Sequence, residues 1–377
     1  MIDGASYRQQ FPALAHKTYL NFGGQGPLSQ VVVQAIQKAY EYEQKEGPFC
    51  TTVNNWVQAQ AKGVRETLAT TLQTTPDRIC LTESTTLGMN IPLWGLNWQA
   101  GDQILLSDAE HPGVLAILES LQARFQVETV LLPLMHAPDP VATIAAALTD
   151  RTRMVVISHV LWNTGRVLPL RPIADCCHQR GVLLHVDAAQ SVGVLPLDMQ
   201  AEGVDFYAFT GHKWLCGPAG VGALYISAQA HPHLLPTYVG WRSLACAGEA
   251  RQFEVATTAW SLLVGWQTAL DIHNQWGSPQ QRYQQQLALS RLLTQSLRQL
   301  PQVTILSPDP PQSGLVSFTV AGQDPVGMEA QLAQRNILLR SLGDPYCLRA
   351  SVHYFTTEAE IAHLTQTIAD LIEESKP

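Results

Sequence analysis

Residues 185–226 read HVDAAQSVGVLPLDMQAEGVDFYAFTGHKWLCGPAGVGALYI, and this stretch decides the fold. One apolar run, 182–186, leads into this stretch and a second, 204–209, lies within it, and runs of this kind predict buried strands of a parallel sheet. The first run leads into Asp187, and the second leads into Thr210, His212 and Lys213. Because ligands bind beyond the carboxyl ends of parallel strands, we expect the aspartate and the lysine to meet at one edge of the sheet.

Strand and helix patterns alternate on the amino-terminal side of this stretch. Apolar β-branched runs predict further strands at 78–81, 103–106, 127–132 and 153–157, with one more at 223–226. Helical periodicity lies between them at 114–124, 141–148 and 173–180. This alternation predicts a three-layer α/β fold with a mainly parallel sheet whose strands are buried on both faces.

The pattern changes near residue 255. Two long helical stretches, 257–276 and 280–300, precede short strands at 303–306, 315–320 and 348–352. A final helix follows, in which Thr357 and Glu360 fit a capping box. We therefore expect an N-terminal arm over 1–14, a large domain over 15–255 and a smaller α+β domain over 256–377.

Composition narrows the class of protein. The chain has 377 residues, of which 46% are hydrophobic and 14% charged, so it is neither disordered nor fibrous and has length for about two domains. A net charge of −8 without a Lys/Arg cluster argues against nucleic acid or an anionic membrane as the main partner. With no long apolar run and no secretory pattern at the start, we expect a cytoplasmic location. Seven cysteines without a CxxC spacing predict neither a disulfide framework nor a metal site.

The residues at the two strand ends suit pyridoxal phosphate. This cofactor needs an amine for its aldehyde, an acid for its pyridine nitrogen and donors for its phosphate. Lys213 would bind the aldehyde, Asp187 would pair with the ring nitrogen, and Gln190 would contact the phenolic oxygen. Thr210 and His212 would face the phosphate.

Two upstream motifs extend this set. Residues 82–88, TESTTLG, follow a predicted strand and open a helix, so Thr85 and Thr86 belong to a predicted anion site. His111, in the AEHPG of residues 109–113, follows another strand and could stack on the pyridine ring. Taken singly, each motif could equally be a helix cap or a loop. Their joint order along the chain favours the cofactor.

With these motifs the chain resembles the class V aminotransferase-like, fold-type I pyridoxal phosphate enzymes. Within them it is similar to the cysteine desulfurase group and in particular to the L-cysteine/cystine C–S lyases of the cyanobacterial type. The likeness runs from YLNFGG at residues 19–24 to RAS at residues 349–351. It implies a homodimer with the active site at the interface, where the partner's copy of Thr257 touches the phosphate.

The same resemblance implies how substrate is held. Arg349 would bind the α-carboxylate through its planar fork. Asn21 and Gly24 lie in the matching amino-terminal segment, and Arg340 or Arg242 could meet the second amino-acid head of cystine.

Two departures from the family pattern affect the predicted reaction. Desulfurases carry sulfur on a cysteine of a mobile loop, whereas residues 340–349, RSLGDPYCLR, form a short link in which Cys347 is the sole candidate. Strand alternation would place Cys347 on the same face as Arg349. In addition, Trp162 stands where many relatives have an asparagine that contacts the phenolic oxygen, and whether Asn163 replaces it is left open.

A missing mobile thiol favours β-elimination over sulfur transfer. The expected products are pyruvate, ammonia and either sulfide from cysteine or persulfide from cystine, with Lys213 taking the α-proton. An iron–sulfur acceptor protein could receive the sulfur. The alternatives are a cysteine desulfurase that uses Cys347, an epimerase or aminotransferase of the same family, and a binding protein without catalysis.

Overall fold

A computed structural model describes residues 7–240, 243–255 and 257–375. Its strands in chain order are β1 (Thr18–Tyr19), β2 (Ile79–Thr82), β3 (Gln103–Ser107), β4 (Glu128–Leu132), β5 (Thr152–Ser158), β6 (Leu183–Asp187), β7 (Phe206–Thr210), β8 (Gly222–Ile226), β9 (Val303–Ile305), β10 (Leu315–Val320), β11 (Ile337–Leu338), β12 (Arg340–Gly343) and β13 (Tyr346–Ser351). The helices are α1 (Gln30–Glu46), α2 (Thr51–Thr71), α3 (Thr85–Gly95), α4 (Pro112–Phe125), α5 (Pro140–Ala147), α6 (Leu170–His178), α7 (Met199–Glu202), α8 (Trp260–Trp276), α9 (Pro279–Arg298), α10 (Pro325–Gln334) and α11 (Glu358–Glu374).

The largest sheet has seven strands in the order β2-β8-β7-β6-β5-β3-β4. Its strands from β7 to β4 are parallel to their neighbours, and only β8 runs antiparallel to β7 and β2. Alternate residues of β5 enter two different apolar cores, with Val155 and Ile157 in one and Met154 and Val156 in the other. The sheet is therefore covered on both faces, and the predicted three-layer α/β fold is confirmed.

One strand differs from the expectation of burial on both faces. β4 is the edge of the sheet, and Leu131 within it is 61% exposed. An edge strand has a neighbour on one side only, so its apolar sequence does not by itself ensure burial.

The second sheet is antiparallel, with the order β12-β13-β10-β9. It packs with α9 and α11 around a third apolar core. The capping box at the start of α11 is confirmed, since the Thr357 hydroxyl accepts from the Glu360 N–H and the Glu360 carboxylate accepts from the Thr357 N–H. The domain boundary at residue 255 stays a prediction.

Residues 7–14 lie against the carboxy-terminal part of the same chain. The Tyr7 and Tyr354 hydroxyls are 2.9 Å apart, and Phe11 stacks on Phe355 with ring centroids 5.0 Å apart. Arg8 forms an ion pair with Glu360 at 2.9 Å. These contacts attach the segment that precedes β1 to the start of α11.

None of the helices in the described ranges combines the length and the hydropathy needed to cross a membrane.

Candidate active site

A cleft of about 320 Å³ lies beyond the carboxyl ends of the parallel strands. Its walls come from the seven-stranded sheet, the four-stranded sheet and the segment after β1. They comprise Gly23, Gly24, Ser84, Thr85, Thr86, His111, Pro112, Ser158, Val160, Trp162, Asp187, Ala189, Gln190, Thr210, His212, Lys213, Arg340 and Arg349. Most of the residues that the sequence singles out are therefore brought together. A larger cavity of about 730 Å³ borders Arg65, Cys246 and Glu254 and contains none of them.

Lys213 and Asp187 reach the cleft from adjacent parallel strands. Asp187 is the last residue of β6, where its Oδ1 accepts from the Ala189 N–H at 2.9 Å, and Lys213 follows the end of β7. Burial lowers the pKa of Lys213 to about 8, with Arg349 and Arg340 acting in the same direction and Asp187 opposing them. Burial raises the pKa of Asp187. A lysine with this pKa has a neutral fraction at pH 7 that is roughly a hundredfold or more above that of an exposed lysine.

The amino terminus of α3 forms one end of the cleft. The Ser84 hydroxyl caps the helix by accepting from the Leu87 N–H at 3.2 Å. The Thr85 Oγ1 atom is buried without a hydrogen-bond partner among the described residues, and Thr86 is exposed beside it. A helix amino terminus has unpaired N–H groups and a positive dipole end, so this part of the cleft fits a phosphate.

Thr210 and His212 pair with each other at the same end. The Thr210 Oγ1 is 2.7 Å from His212 Nδ1, and Thr210 also donates toward the Val221 carbonyl at 3.2 Å. Burial lowers the pKa of His212 to about 4, so the ring is neutral at pH 7. The pair orients the imidazole, which is a requirement if it is to present a nitrogen to a ligand.

His111 caps helix α4 and borders the cleft. Its Nδ1 accepts from the Gly113 N–H at 3.1 Å, which places the proton of the neutral ring on Nε2. Partial burial, together with the Lys213 ammonium, lowers the pKa of His111. The Trp162 indole lies edge-on to this imidazole, with centroids 5.8 Å apart and planes at 69°.

Arg349 is a buried cation without an anionic partner in the described part of the chain. It is 2% exposed, its Nη1 donates to the Trp162 carbonyl at 2.7 Å, and its Nε has no partner. Burial lowers the pKa of Arg349 to about 10, and Arg340 lies directly opposite in the β12–β13 register. Because like charges on facing strands repel, this arrangement points to a ligand that carries negative charge.

Three buried donors without partners among the described residues line the cleft: Thr85 Oγ1, Trp162 Nε1 and Arg349 Nε. Buried polar groups without partners are costly, so a ligand that accepts hydrogen bonds at these positions stabilises the site. The lysine, the aspartate and the helix terminus together match the amine, acid and anion requirements of pyridoxal phosphate. The residues present therefore fit this cofactor.

Several predicted residues lie elsewhere. Asn21 does not line the cleft; it packs beneath Gly24, where an added Cβ would be 2.6 Å from its Oδ1. Thr257 is exposed and outside the cleft of its own chain, so its predicted contact with the partner's phosphate stays a prediction, and Arg242 lies outside the described residues. Asn163 is turned away, because its Nδ2 donates to the Asp344 carbonyl at 3.4 Å, and Trp162 occupies the cleft wall instead.

Glu110 is a buried residue that sequence reasoning missed. Its Oε1 accepts from the Ser158 N–H at 2.7 Å, and its Oε2 is 2.9 Å from the Ser158 hydroxyl. Ser158 is directly opposite Asp187 in the β5–β6 register. Burial, with the nearby Asp187 carboxylate, raises the pKa of Glu110 to about 8. A single glutamate before a helix is usually interpreted as a partner of the helix dipole. The sequence therefore contains no signal for the burial of Glu110 or for its hydrogen bonds to Ser158.

Replacing Glu110 with glutamine should change how stability depends on pH. The folded protein holds the Glu110 proton up to about pH 8, whereas an unfolded chain loses it near pH 4.5, so this group's contribution to the free energy of unfolding falls as pH rises between these values. The slope is at most about 1.4 kcal/mol per pH unit. We therefore measure the Tm of Glu110→Gln minus the Tm of the unsubstituted protein by thermal unfolding, and we expect this difference to increase from pH 5 to pH 8. Glu119→Gln, on the exposed side of α4, is the control, and an unchanged Tm difference in both variants would refute the prediction.

Known proteins of one family are similar to this chain over nearly its whole length. Residues 18–364 match the family model for class V aminotransferases. The chain is 44% identical, with a TM-score of 0.93, to two solved structures of C-DES, and each match covers 96% of this chain and 99% of that one. One is described as the cystine C–S lyase C-DES in complex with its reaction product cysteine persulfide, and the other as a C-DES mutant with glycine covalently linked to the pyridoxal phosphate cofactor. It is 26% identical to a probable cysteine desulfurase of Methanothermobacter thermautotrophicus, over 97% of both chains. It is 30% identical to the isopenicillin N epimerase of Streptomyces clavuligerus, over 94% of this chain and 95% of that one.

The match to the family model spans the strands of all three sheets and every described residue of the cleft. The cofactor-linked structural neighbour agrees with the fit of the cleft to pyridoxal phosphate. This chain belongs to the class V aminotransferase family, within its cysteine desulfurase and C–S lyase group, and its cofactor is pyridoxal phosphate.

Proposed function

We propose that the protein is a carbon–sulfur lyase that breaks the Cβ–S bond of L-cysteine or L-cystine by β-elimination. With one water consumed, cysteine gives pyruvate, ammonia and hydrogen sulfide, and cystine gives pyruvate, ammonia and cysteine persulfide. The observation that carries this proposal is the short hairpin between β12 and β13, which leaves no thiol among the described residues that line the cleft.

The hairpin is held at both of its strands. Its turn is Asp344-Pro345, since Gly343 pairs with Tyr346. The Ser341 N–H donates to Glu329 of α10 at 2.8 Å, and the Tyr346 hydroxyl hydrogen-bonds to Asp324 at the start of the same helix. A two-residue turn fixed in this way is too short to move a side chain into the cleft and out again.

Cys347 lacks the properties of a sulfur-accepting nucleophile. The residue is fully buried and does not line the cleft, although Arg349 two positions later does. Burial raises the pKa of Cys347 to about 11. The thiolate is the reactive form of cysteine, so at pH 7 this side chain is an apolar core group.

The remaining residues of the cleft support proton abstraction. Bound pyridoxal phosphate supplies the electron sink that makes an α-proton of an amino acid acidic. We assign the removal of this proton to Lys213 Nζ, whose lowered pKa favours the neutral amine. Asp187 holds a proton at the pyridine nitrogen, and Arg349 orients the substrate through its α-carboxylate.

The two facing arginines support cystine as a substrate. Arg349 is buried in the cleft and Arg340 is exposed at its border, so they differ in depth. Cystine has two carboxylates and can form an ion pair with each arginine, whereas cysteine has one carboxylate and can pair with only one of them. Persulfide is also a better leaving group than sulfide because it is less basic.

The similarity to C-DES supports lyase activity, and the similarity to isopenicillin N epimerase supports epimerisation as a second candidate reaction. Incubation with cysteine and with cystine, followed by product analysis, separates the candidates. A lyase releases pyruvate, a desulfurase releases alanine and leaves persulfide on the protein, and an epimerase gives the racemised amino acid without pyruvate.

Cys347→Ala should leave the lyase reaction largely intact. We expect pyruvate formation within about twofold of the unsubstituted protein, because a buried thiol outside the cleft takes no part in β-elimination. Cys177→Ala removes another fully buried thiol and is the matched control for a small core cavity. A selective loss of activity in Cys347→Ala, together with alanine as product, would instead support a desulfurase.

We also propose a homodimer, with an iron–sulfur acceptor protein as one recipient of the sulfur. Support for the dimer comes from a row of exposed apolar side chains before the segment that carries Thr257: Leu235, Tyr238 and Val239. Sedimentation of the purified protein at the mass of one chain would exclude the dimer.

A further inference from the structure

Trp214, the residue after Lys213, is buried against two neighbouring rings. It is 1% exposed, and the centroids of Phe22 and His353, which contact each other at 4.7 Å, lie 6.4 and 5.9 Å from it with planes at 23° and 20°. The His353 Nε2 donates to the Trp214 carbonyl at 2.8 Å. The backbone that carries Lys213 is thereby fixed, while the lysine side chain extends into the cleft.

The indole nitrogen of Trp214 starts a chain of hydrogen bonds. Nε1 donates to Gln190 Oε1 at 2.8 Å, and Gln190 Nε2 donates to the Gly23 carbonyl at 2.9 Å. An indole nitrogen only donates and a carbonyl oxygen only accepts, so both partners demand the same orientation of the amide. A flipped amide would face donor with donor at Trp214 and acceptor with acceptor at Gly23.

This orientation matters because Gln190 and Gly23, the two members of this series that accept or pass on the hydrogen bond from Trp214, both border the cleft. Gln190 lines the cleft, and its Nε2 has a second N–H beyond the one given to Gly23. Gly23 is also in the cleft wall, where an added Cβ would lie 3.3 Å from Arg349 Nη2. The hydrogen bonds thus connect the loop that carries the lysine with the segment beside the substrate-binding arginine.

We propose that Trp214 is a positioning residue whose indole N–H holds the Gln190 amide with its nitrogen toward the cleft, so that the amide offers a donor to an anionic oxygen of the bound cofactor. With the amide reversed, Gln190 would present an oxygen, and an oxygen repels that anion. The inference rests on the proposed binding of pyridoxal phosphate by these cleft residues.

The test measures cofactor binding without substrate. Apoprotein is titrated with pyridoxal phosphate, and the absorbance of the lysine-bound cofactor gives the Kd. Trp214→Phe keeps an aromatic ring and removes the N–H, and we expect a Kd about three- to tenfold higher, as for the loss of one hydrogen bond. Trp98→Phe is the matched control, since Trp98 is also buried and its Nε1 donates to the Leu93 carbonyl at 2.6 Å, outside the cleft.

A double-mutant cycle with Gln190→Ala distinguishes positioning from packing. If Trp214 acts through Gln190, then Trp214→Phe adds nothing to the Kd of Gln190→Ala. A similar rise in Kd in both backgrounds, or no rise in Trp214→Phe relative to Trp98→Phe, would overturn the inference.

A second variant keeps the test decisive if Trp214→Phe fails to fold. Gln190→Glu accepts from Trp214 but cannot donate, so it should weaken cofactor binding more than Gln190→Ala does; equal or weaker effects would overturn the inference. Failure of the proposed reaction would show differently, as normal cofactor binding by the unsubstituted protein without pyruvate from cysteine or cystine.

Discussion

Lys213→Ala is expected to lower pyruvate formation by about 10⁴-fold and to abolish the absorbance near the edge of the visible range that lysine-bound pyridoxal phosphate produces. The substitution removes the amine that lies at the end of β7 in the cleft and has a pKa lowered to about 8. Alanine provides neither a group that binds the aldehyde nor a base for the α-proton. Absorption spectra and a pyruvate assay measure the two effects separately.

A surface lysine serves as the control for this substitution. Lys62→Ala removes an exposed lysine of α2 whose ion pair with Glu66 is open to solvent, so both the spectrum and the activity should be unchanged. Treatment with borohydride should eliminate the absorbance of the unsubstituted protein. If Lys213→Ala still formed pyruvate at a rate near that of Lys62→Ala, the assignment of the base would be wrong.

Arg349→Met is expected to lower kcat/KM by about 100-fold or more for both cysteine and cystine. Each hydrogen bond to a charged group contributes about 1.5–3 kcal/mol, and the buried guanidinium, which we assign to the α-carboxylate, can form two such bonds through its planar fork. The Tm without substrate should remain at or above that of the unsubstituted protein, because Arg349 is a buried charge without a described counter-ion. Steady-state kinetics and thermal unfolding test the two parts.

Arg340 provides the contrast. It is exposed at the border of the cleft, so Arg340→Gln should raise KM for cystine and leave the kinetics with cysteine nearly unchanged. A lower Tm in Arg349→Met, together with normal kcat/KM in the folded fraction, would show that Arg349 has a structural role instead.

The parts of the site that could be predicted are those tied to strand ends. Apolar runs identified β6 and β7, and the general rule for ligands in parallel sheets then brought Asp187 and Lys213 to one edge. The anion site at α3 followed in the same way, from hydroxyl residues between a strand and a helix. These inferences needed only local pattern and one rule of topology.

Contacts between distant segments could not be predicted. The hydrogen bond from Trp214 to Gln190, the one from Arg349 to the Trp162 carbonyl and the burial of Glu110 beside Ser158 depend on how separate loops pack. Helix α1 was also missed, since Val32 and Ala39 are its only fully buried residues and such a sparse apolar pattern is hard to distinguish from a loop. The sequence also predicts a link where the structure has β12. The four residues of this strand acquire strand structure only by pairing with β13, and the local pattern does not indicate that pairing.

The two-residue turn between β12 and β13 has a consequence for the fate of the product. A protein that keeps sulfur on its own thiol can pass it on during an encounter with one acceptor, whereas this hairpin offers no such thiol beside the cleft. On the proposed reaction, sulfur leaves as a small diffusing molecule. Supply to any acceptor then follows the bulk concentrations of persulfide and acceptor, and recipients compete by reactivity without docking to this protein.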